Sequence, residues 1–190
     1  MEVLTGIFSA FGLSASAGLN AYIPLLVISL LARYTELIKL NPPWDTLSSG
    51  WVIGLLIVLT VIEFFADKVP AINHANDLIQ TIVRPIAGAI VFAASAQVIT
   101  EINPIISMAA GILIAGGVHA TKSIAVRPAV TATTAGAGNV PVSIMEDIIS
   151  TILSILSVII PILVGMIVIL FTSWVVWLLW RRANKSHSTA

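Results

Sequence analysis

Residues 3–32, 46–62, 85–100, 102–121 and 148–180 are long, strongly apolar stretches that carry no charged side chain. A bilayer core about 30 Å thick is crossed by about 20 helical residues, so runs of this length set the solvent before anything else is known. Water cannot be that solvent. Of 190 residues, 58% are hydrophobic and only 9% are charged, with a mean hydropathy of +1.05, whereas a soluble domain carries about 25% charged residues. Left in water, the surplus would form apolar patches that associate. The chain therefore reads as all-α, a polytopic transmembrane helix bundle, because helices satisfy their backbone groups internally where no water can. The same arithmetic excludes a disordered chain, a coiled coil and a nucleic-acid binder. Nine basic residues balance nine acidic ones and leave no basic field. No cysteine is present, which excludes disulfides, thiolate metal sites and a cysteine nucleophile.

The natural division is five spans, roughly 4–32, 47–66, 78–101, 104–122 and 148–180, or six if residues 3–32 fold as a tight hairpin. That first run holds Gly12, Gly18 and Pro24, and a break or kink is expected at Gly18-Leu19-Asn20. In the last run Pro161 and Gly165 supply a kink. With no polar turn nearby, a bent helix is preferred there to two spans. Residues 1–183 form one transmembrane domain, followed by a polar tail, 184–190. The N-terminus lacks the basic region of a signal peptide and is treated as mature. With five spans, Arg33 and Lys39 share a side with Arg181, Arg182 and Lys185, which places the C-terminus in the cytoplasm and the protein in a plasma or inner membrane. Trp174, Trp177 and Trp180 beside the terminal arginines, and Trp44 and Trp51 near the Asn41-Pro42-Pro43 turn, read as interfacial anchors.

The chain echoes itself. Gly18-Leu19-Asn20-Ala21 matches Gly117-Val118-His119-Ala120, Val69-Pro70 matches Val140-Pro141, and the segment opening at Asp77 matches that opening at Asp147, in the same order. This gives half-repeats of about 5–102 and 104–180. Gly18 and Asp77 are 59 positions apart, Gly117 and Asp147 only 30. The surplus is about one span, which would leave the paired elements partly inverted, an architecture common among small transporters.

Two segments carry most of the polar chemistry. In the first, Glu63 and Asp67 are one turn apart at the end of a helix, followed by Lys68 and His74. On the next helix Asp77, Gln80, Thr81 and Arg84 fall at i, i+3, i+4 and i+7, on one face. In the second, His119, Lys122 and Arg127 precede residues 129–138, a run of Ala, Thr, Val and Gly, and then Asn139, Glu146 and Asp147. The small-sided run is too short of bulk for a lipid-facing span and too apolar for an ordinary loop, so a re-entrant, cavity-lining loop is expected. Ionisable residues inside a membrane protein rarely face lipid and mark pathways. With Asn20 they form the candidate substrate or ion pathway: Asn20, Glu63, Asp67, Lys68, His74, Asp77, Gln80, Thr81, Arg84, His119, Lys122, Arg127, Asn139, Glu146 and Asp147. The plainer alternative is that the aspartates favour helix N-termini and the arginines pair with them and only hold the bundle. The histidines lack a dense ligand spacing such as His-Glu-x-x-His, so no metal, cofactor or catalytic residue is assigned.

The motifs Gly12-Leu-Ser-Ala-Ser-Ala-Gly18-Leu-Asn20-Ala-Tyr22, Glu63-Phe-Phe-Ala-Asp67-Lys68-Val-Pro70 and Asp77-x-x-Gln80-Thr81-x-x-Arg84-Pro85-x-Ala-Gly88 resemble an uncharacterised, domain-of-unknown-function family of small bacterial multi-pass membrane proteins, over most of residues 5–170. The resemblance implies membrane location and fold grouping, and brings no substrate. Three functional readings follow from the residues. The first is a transporter or channel for a small, anionic solute, built with the lipid bilayer and a second copy of the chain as partners. The second is a structural or accessory membrane subunit. The third is an intramembrane enzyme acting on a lipid phosphate.

Overall fold

The computed structural model describes residues 2–68, 70–96 and 103–187, with side chains for 4–68, 76, 78–96, 103–178, 180 and 181. Eight α-helices form: α1 Glu2–Leu19, α2 Tyr22–Tyr34, α3 Gly50–Ala66, α4 Pro70–Ala96, α5 Pro104–Thr121, α6 Arg127–Thr134, α7 Asn139–Ile159 and α8 Pro161–His187. A 3-10 turn, Trp44–Ser48, leads into α3, and a π-helical segment, Lys122–Val126, fuses α5 to α6. Among the described residues there is no strand. Leu78–Ala96, Pro104–Thr134, Asn139–Ile159 and Pro161–Leu178 are long and apolar enough to cross a membrane, and Leu4–Leu19, Tyr22–Tyr34 and Gly50–Ala66 are shorter apolar helices. The protein is a helical membrane bundle.

Contacts give the direction of each pass. Ser14 on α1 donates to the Gly88 carbonyl of α4 at 3.0 Å, and Ala10 packs with Phe92 and Ala96, so the two helices are antiparallel. Running back along α4, Ala110 and Ile114 of α5 meet Phe92 and Ala96, Ala115 meets Gly88, and His119 meets Thr81, so α5 is parallel to α1. Asp147 meets Asn20, Ser150 and Ser154 meet Ser16, and Ser157 meets Gly12, so α7 is antiparallel to α1. From Gly165 against Phe8, α8 returns past Ile114 and Val118 to a groove it shares with Ala120–Ala125. Counting α5 and α6 as one, the described helices run through the bundle seven times, and α1 starts at the end opposite to the one where α8 finishes.

Two expectations are corrected, and an open alternative is decided. Residues 3–32 are two helices broken at Asn20, as the hairpin alternative has it. Asn20 breaks the helix and its Oδ1 accepts from Tyr22 N and Ile23 N at 3.1 and 3.0 Å, capping α2, while Pro24 sits in α2's first turn where its missing N–H costs nothing. An Asn20→Ala protein is expected to lose about 1–2 kcal/mol through the cap, read as a lower melting temperature in detergent. Residues 148–180 are likewise two passes. Proline disfavours helical geometry in the residue before it, and Ile160 sits at φ −130°, ψ 60°. Residues 129–138 do not re-enter. Pro128 starts α6, Thr133 and Thr134 bond back to the carbonyls of Ala129 and Val130 at 2.9 and 2.7 Å, and the chain turns through Ala135 and Gly136 at positive φ on the exposed surface. Alanine and hydroxyl back-bonding suffice for a short helix that needs no lipid-facing bulk.

The new directions also separate Arg33 and Lys39 from Arg181, which the five-span reading had placed together. The paired elements of the echo are not inverted either. α1 runs with α5 and α4 runs with α7, because two helices, α2 and α3, lie between the first pair of elements rather than one.

In lipid there is little hydrophobic gain from helix association, so close van der Waals contact carries it. At the α4–α5 crossing, Gly88 and Gly111 face each other, and a Cβ on either would run into the other helix's backbone. Along α7, Ser143, Ser150, Ser154 and Ser157 are buried on one face. Ser16 Oγ sits 2.7 Å from both Ser150 Oγ and Ser154 Oγ.

Candidate functional site

The end of the bundle where α1 and α3 stop and α4 and α7 begin collects the charged residues. Arg84 projects from α4 between α3 and α5 and is 0% exposed. Its Nη2 lies 3.0 Å from Glu63 Oε1 and 3.5 Å from Asp67 Oδ2, and its Nη1 lies 3.2 Å from His119 Nδ1. Arginine only donates, so His119 Nδ1 is the acceptor there. The ring therefore carries its proton on Nε2, which faces Thr81 Oγ1 at 3.2 Å.

Asp67, at the C-cap of α3, joins the two halves of the cluster. Asn76 Nδ2 donates to its Oδ1 at 2.6 Å. Its Oδ2 takes Ser143 Oγ at 3.5 Å and lies 3.8 Å from Arg127 Nη2. Arg127 Nη2 also reaches Glu146 Oε2 at 3.3 Å. The same oxygen binds Lys122 Nζ at 2.6 Å, and Lys122 donates in turn to the Leu19 carbonyl at 3.3 Å. That carbonyl is one of those α1 leaves open when it breaks, and a cation suits a helix C-terminus. The last pair sits at the rim. Lys68 Nζ is 2.8 Å from Asp147 Oδ2, with the two side chains 13% and 12% exposed. Asn20 Nδ2 holds Asp147 Oδ1 at 3.0 Å, and the Lys68 ammonium stacks over Phe64 at 3.5 Å.

Among the described residues, four cations and four carboxylates thus share one buried site and cancel in charge. Asp67 and Glu146 each serve two cations and each guanidinium serves two carboxylates, so partners can be exchanged without any group moving far. Glu63 Oε2, Gln80 Oε1 and Arg84 Nε are buried here and have no partner among the described residues.

Of the residues expected from sequence, the structure brings together Asn20, Glu63, Asp67, Lys68, Arg84, His119, Lys122, Arg127, Glu146 and Asp147, with Gln80 buried beside them and Thr81 joined through His119. Asn139 lies apart, at the first position of α7, bonded to Thr131 at 3.0 Å. The side chains of His74 and Asp77 fall outside the described residues. Sequence reasoning missed Asn76, Ser143 and Tyr22, whose hydroxyl neighbours Glu63, Arg84 and Gln80. Ser143 had a signal, since it falls one turn before Asp147 on the serine face of α7. Among the described residues no three His, Asp or Glu side chains converge as a metal site would require. Cavities of about 680 and 420 Å³ lie elsewhere, one among Ala32–Asn41 and Ser48, the other in the apolar groove between α5 and α8.

No curated protein and no solved structure matches the chain. Residues 7–181 match the domain-of-unknown-function family DUF4126, nearly the whole length, and the chain belongs to that family.

Proposed function

We propose that the protein is a small transporter of the cell membrane for a small anionic solute, and that the charge network is its polar site, formed where helices from both halves of the repeat meet. The observation that carries this reading is the buried, charge-balanced network itself. Each ionisable side chain placed deep in a bilayer costs about 2.5–3.5 kcal/mol by insertion scales, and such residues mark solute and proton routes. Stability alone gives little reason to keep them, because well-packed apolar replacements of a buried ion pair are often neutral or better. The shared partners and the unpartnered atoms fit a site that rearranges on loading.

Purified protein in liposomes should take up labelled inorganic phosphate or pyruvate above the level of empty liposomes. Folded protein that moves neither these anions nor protons would overturn the proposal. The pairing of every charge in the network favours a second reading, a structural or accessory subunit, and that null result would select it.

With seven passes, Lys68, Arg181, Arg182 and Lys185 fall at the network end and Arg33 and Lys39 at the other. This asymmetry supports a cytoplasmic network end and C-terminus. The natural chain has no cysteine, so single cysteines report cleanly. Thr133→Cys should react with a membrane-impermeant thiol reagent only from the cytoplasmic side, and Lys39→Cys only from outside.

A further inference from the structure

Three buried atoms on the Glu63–Arg84 pair and one helical turn from it lack a partner, and each lacks a specific thing. Glu63 Oε1 takes both of that carboxyl's bonds, from Arg84 Nη2 at 3.0 Å and Ala21 N at 3.5 Å, and Oε2 has none. Gln80, one turn before Arg84 on the same face of α4, has a bare carbonyl oxygen. Two acceptors therefore lack a hydrogen. Arg84 Nε is a donor that lacks an oxygen. Nε and Nη2 share the edge of the guanidinium that grips two oxygens of a carboxylate or phosphate at once, and Glu63 occupies only half of it.

The charge balance of the described side chains limits what can fill these positions. A proton alone would leave the network with a net positive charge in a medium of low dielectric, and an anion alone would leave it negative. Either is costly when buried. One proton and one monoanion together leave it neutral. The other titratable and charged groups facing Glu63 do not offer an equivalent place for the proton. Asp67 on α3 has both oxygens engaged. The Nδ1 lone pair of His119 on α5 is taken by Arg84. Tyr22 on α2 is a neutral hydroxyl. Arg127 on α6, reached through Asp67, is a cation.

Resting on the transport reading above, we infer that Glu63 and Arg84 load together, one proton and one monoanion of the carboxylate or phosphate type, so that the protein is an electroneutral proton–anion cotransporter. The proton from the aqueous phase bonds to Glu63 Oε2, and the new O–H donates to Gln80 Oε1. Neutral Glu63 then releases Arg84 Nη2. The Nε–Nη2 edge presents two parallel N–H donors to two oxygens of the anion. Unloading reverses both steps and restores the ion pair.

The test compares wild type, Glu63→Gln and Gln80→Leu in liposomes. Infrared difference spectra are recorded across a pH titration, and uptake of labelled inorganic phosphate and pyruvate is driven by an inward pH gradient with the voltage clamped. Wild type should show the carbonyl band of a protonated carboxylic acid. Glu63→Gln should lose it, and Gln80→Leu should move it to higher wavenumber as its hydrogen bond disappears. Wild-type uptake should follow the pH gradient and ignore the voltage. Glu63→Gln should lose gradient-driven accumulation. A band that survives in Glu63→Gln, or uptake that carries net charge, would overturn the inference. If wild type moves neither anion, the transport reading falls and the coupling with it, and the band alone decides whether Glu63 binds a proton. Should Glu63→Gln fail to fold, the band shift in Gln80→Leu carries the same decision.

Discussion

Arg84→Ala is expected to lose its fold before it loses an activity. The guanidinium is fully buried and holds Glu63 at 3.0 Å, Asp67 at 3.5 Å and His119 at 3.2 Å. Removing it leaves Glu63 with no cation and Asp67 with only the more distant Arg127. Breaking a buried pair from one side costs about 3–5 kcal/mol, a large share of a total stability of about 5–15 kcal/mol. Thermal unfolding of purified protein in detergent, followed by the monodisperse fraction, should show a large drop in midpoint. Removing both partners, as in Glu63→Leu with Arg84→Met, should recover much of it, because the penalty is the orphaned charge and not the lost attraction. A single Arg84→Ala protein that melts like wild type would show that the pair is solvated in the membrane. The double variant is also the useful one for function: a stable, inactive bundle would assign the pair to transport rather than to assembly.

The second large effect lies at the α4–α5 crossing. In Gly111→Leu the new Cβ would meet the Gly88 carbonyl and Ala89 Cα, all backbone atoms of the facing helix, and no side chain can yield. Overpacking costs about 1–3 kcal/mol where neighbours can shift, and the top of that range or beyond is expected here. Gly117→Leu is the matched control. It lies on the same helix, yet nothing is within 4 Å of its added Cβ. A glycine in a helix interior costs about 1 kcal/mol against alanine, so this change should be neutral or mildly stabilising. The two midpoints measured side by side separate helix contact from helix propensity. Equal midpoints would mean the two helices are not in close contact in the membrane.

The spans themselves were legible because a bilayer punishes charge, and the charge-free runs mark them. Their number was not. Asn20 and Pro161 each reverse the chain within one or two residues. A count that expects about 20 residues per crossing cannot see α2, which has 13 and is carried by its neighbours. The run 129–138 was ambiguous because alanine and threonine suit a short helix and a buried loop alike. Most of the charged site was legible, since an ionised group in an apolar chain has few places to go. Its pairing was not. Asp67 and Arg127 are far apart in sequence, and no local pattern says that Asp67 meets Arg127 while Asp147 meets Lys68. Asn76 and Ser143 escaped notice as ordinary polar residues, although the period of Ser143, Asp147, Ser150, Ser154 and Ser157 already drew one polar face on α7.

The order of these pairs along the chain has a consequence for how the protein is made. Glu63 and Arg84 are 21 residues apart on consecutive helices. As α3 and α4 leave the ribosome they can close their ion pair and enter the bilayer as one hairpin, sparing the insertion machinery a lone charge on either helix. Lys68 and Lys122 must wait, because their carboxylates, Asp147 and Glu146, belong to α7, and until then Arg127 has only the more distant Asp67. Until α7 is translated, the described side chains of the nascent bundle hold two more cations than carboxylates at its network end. α7 is therefore the step that neutralises the membrane interior, and a chain terminated before residue 139 would present a charged, unfinished bundle to the membrane's quality-control proteases.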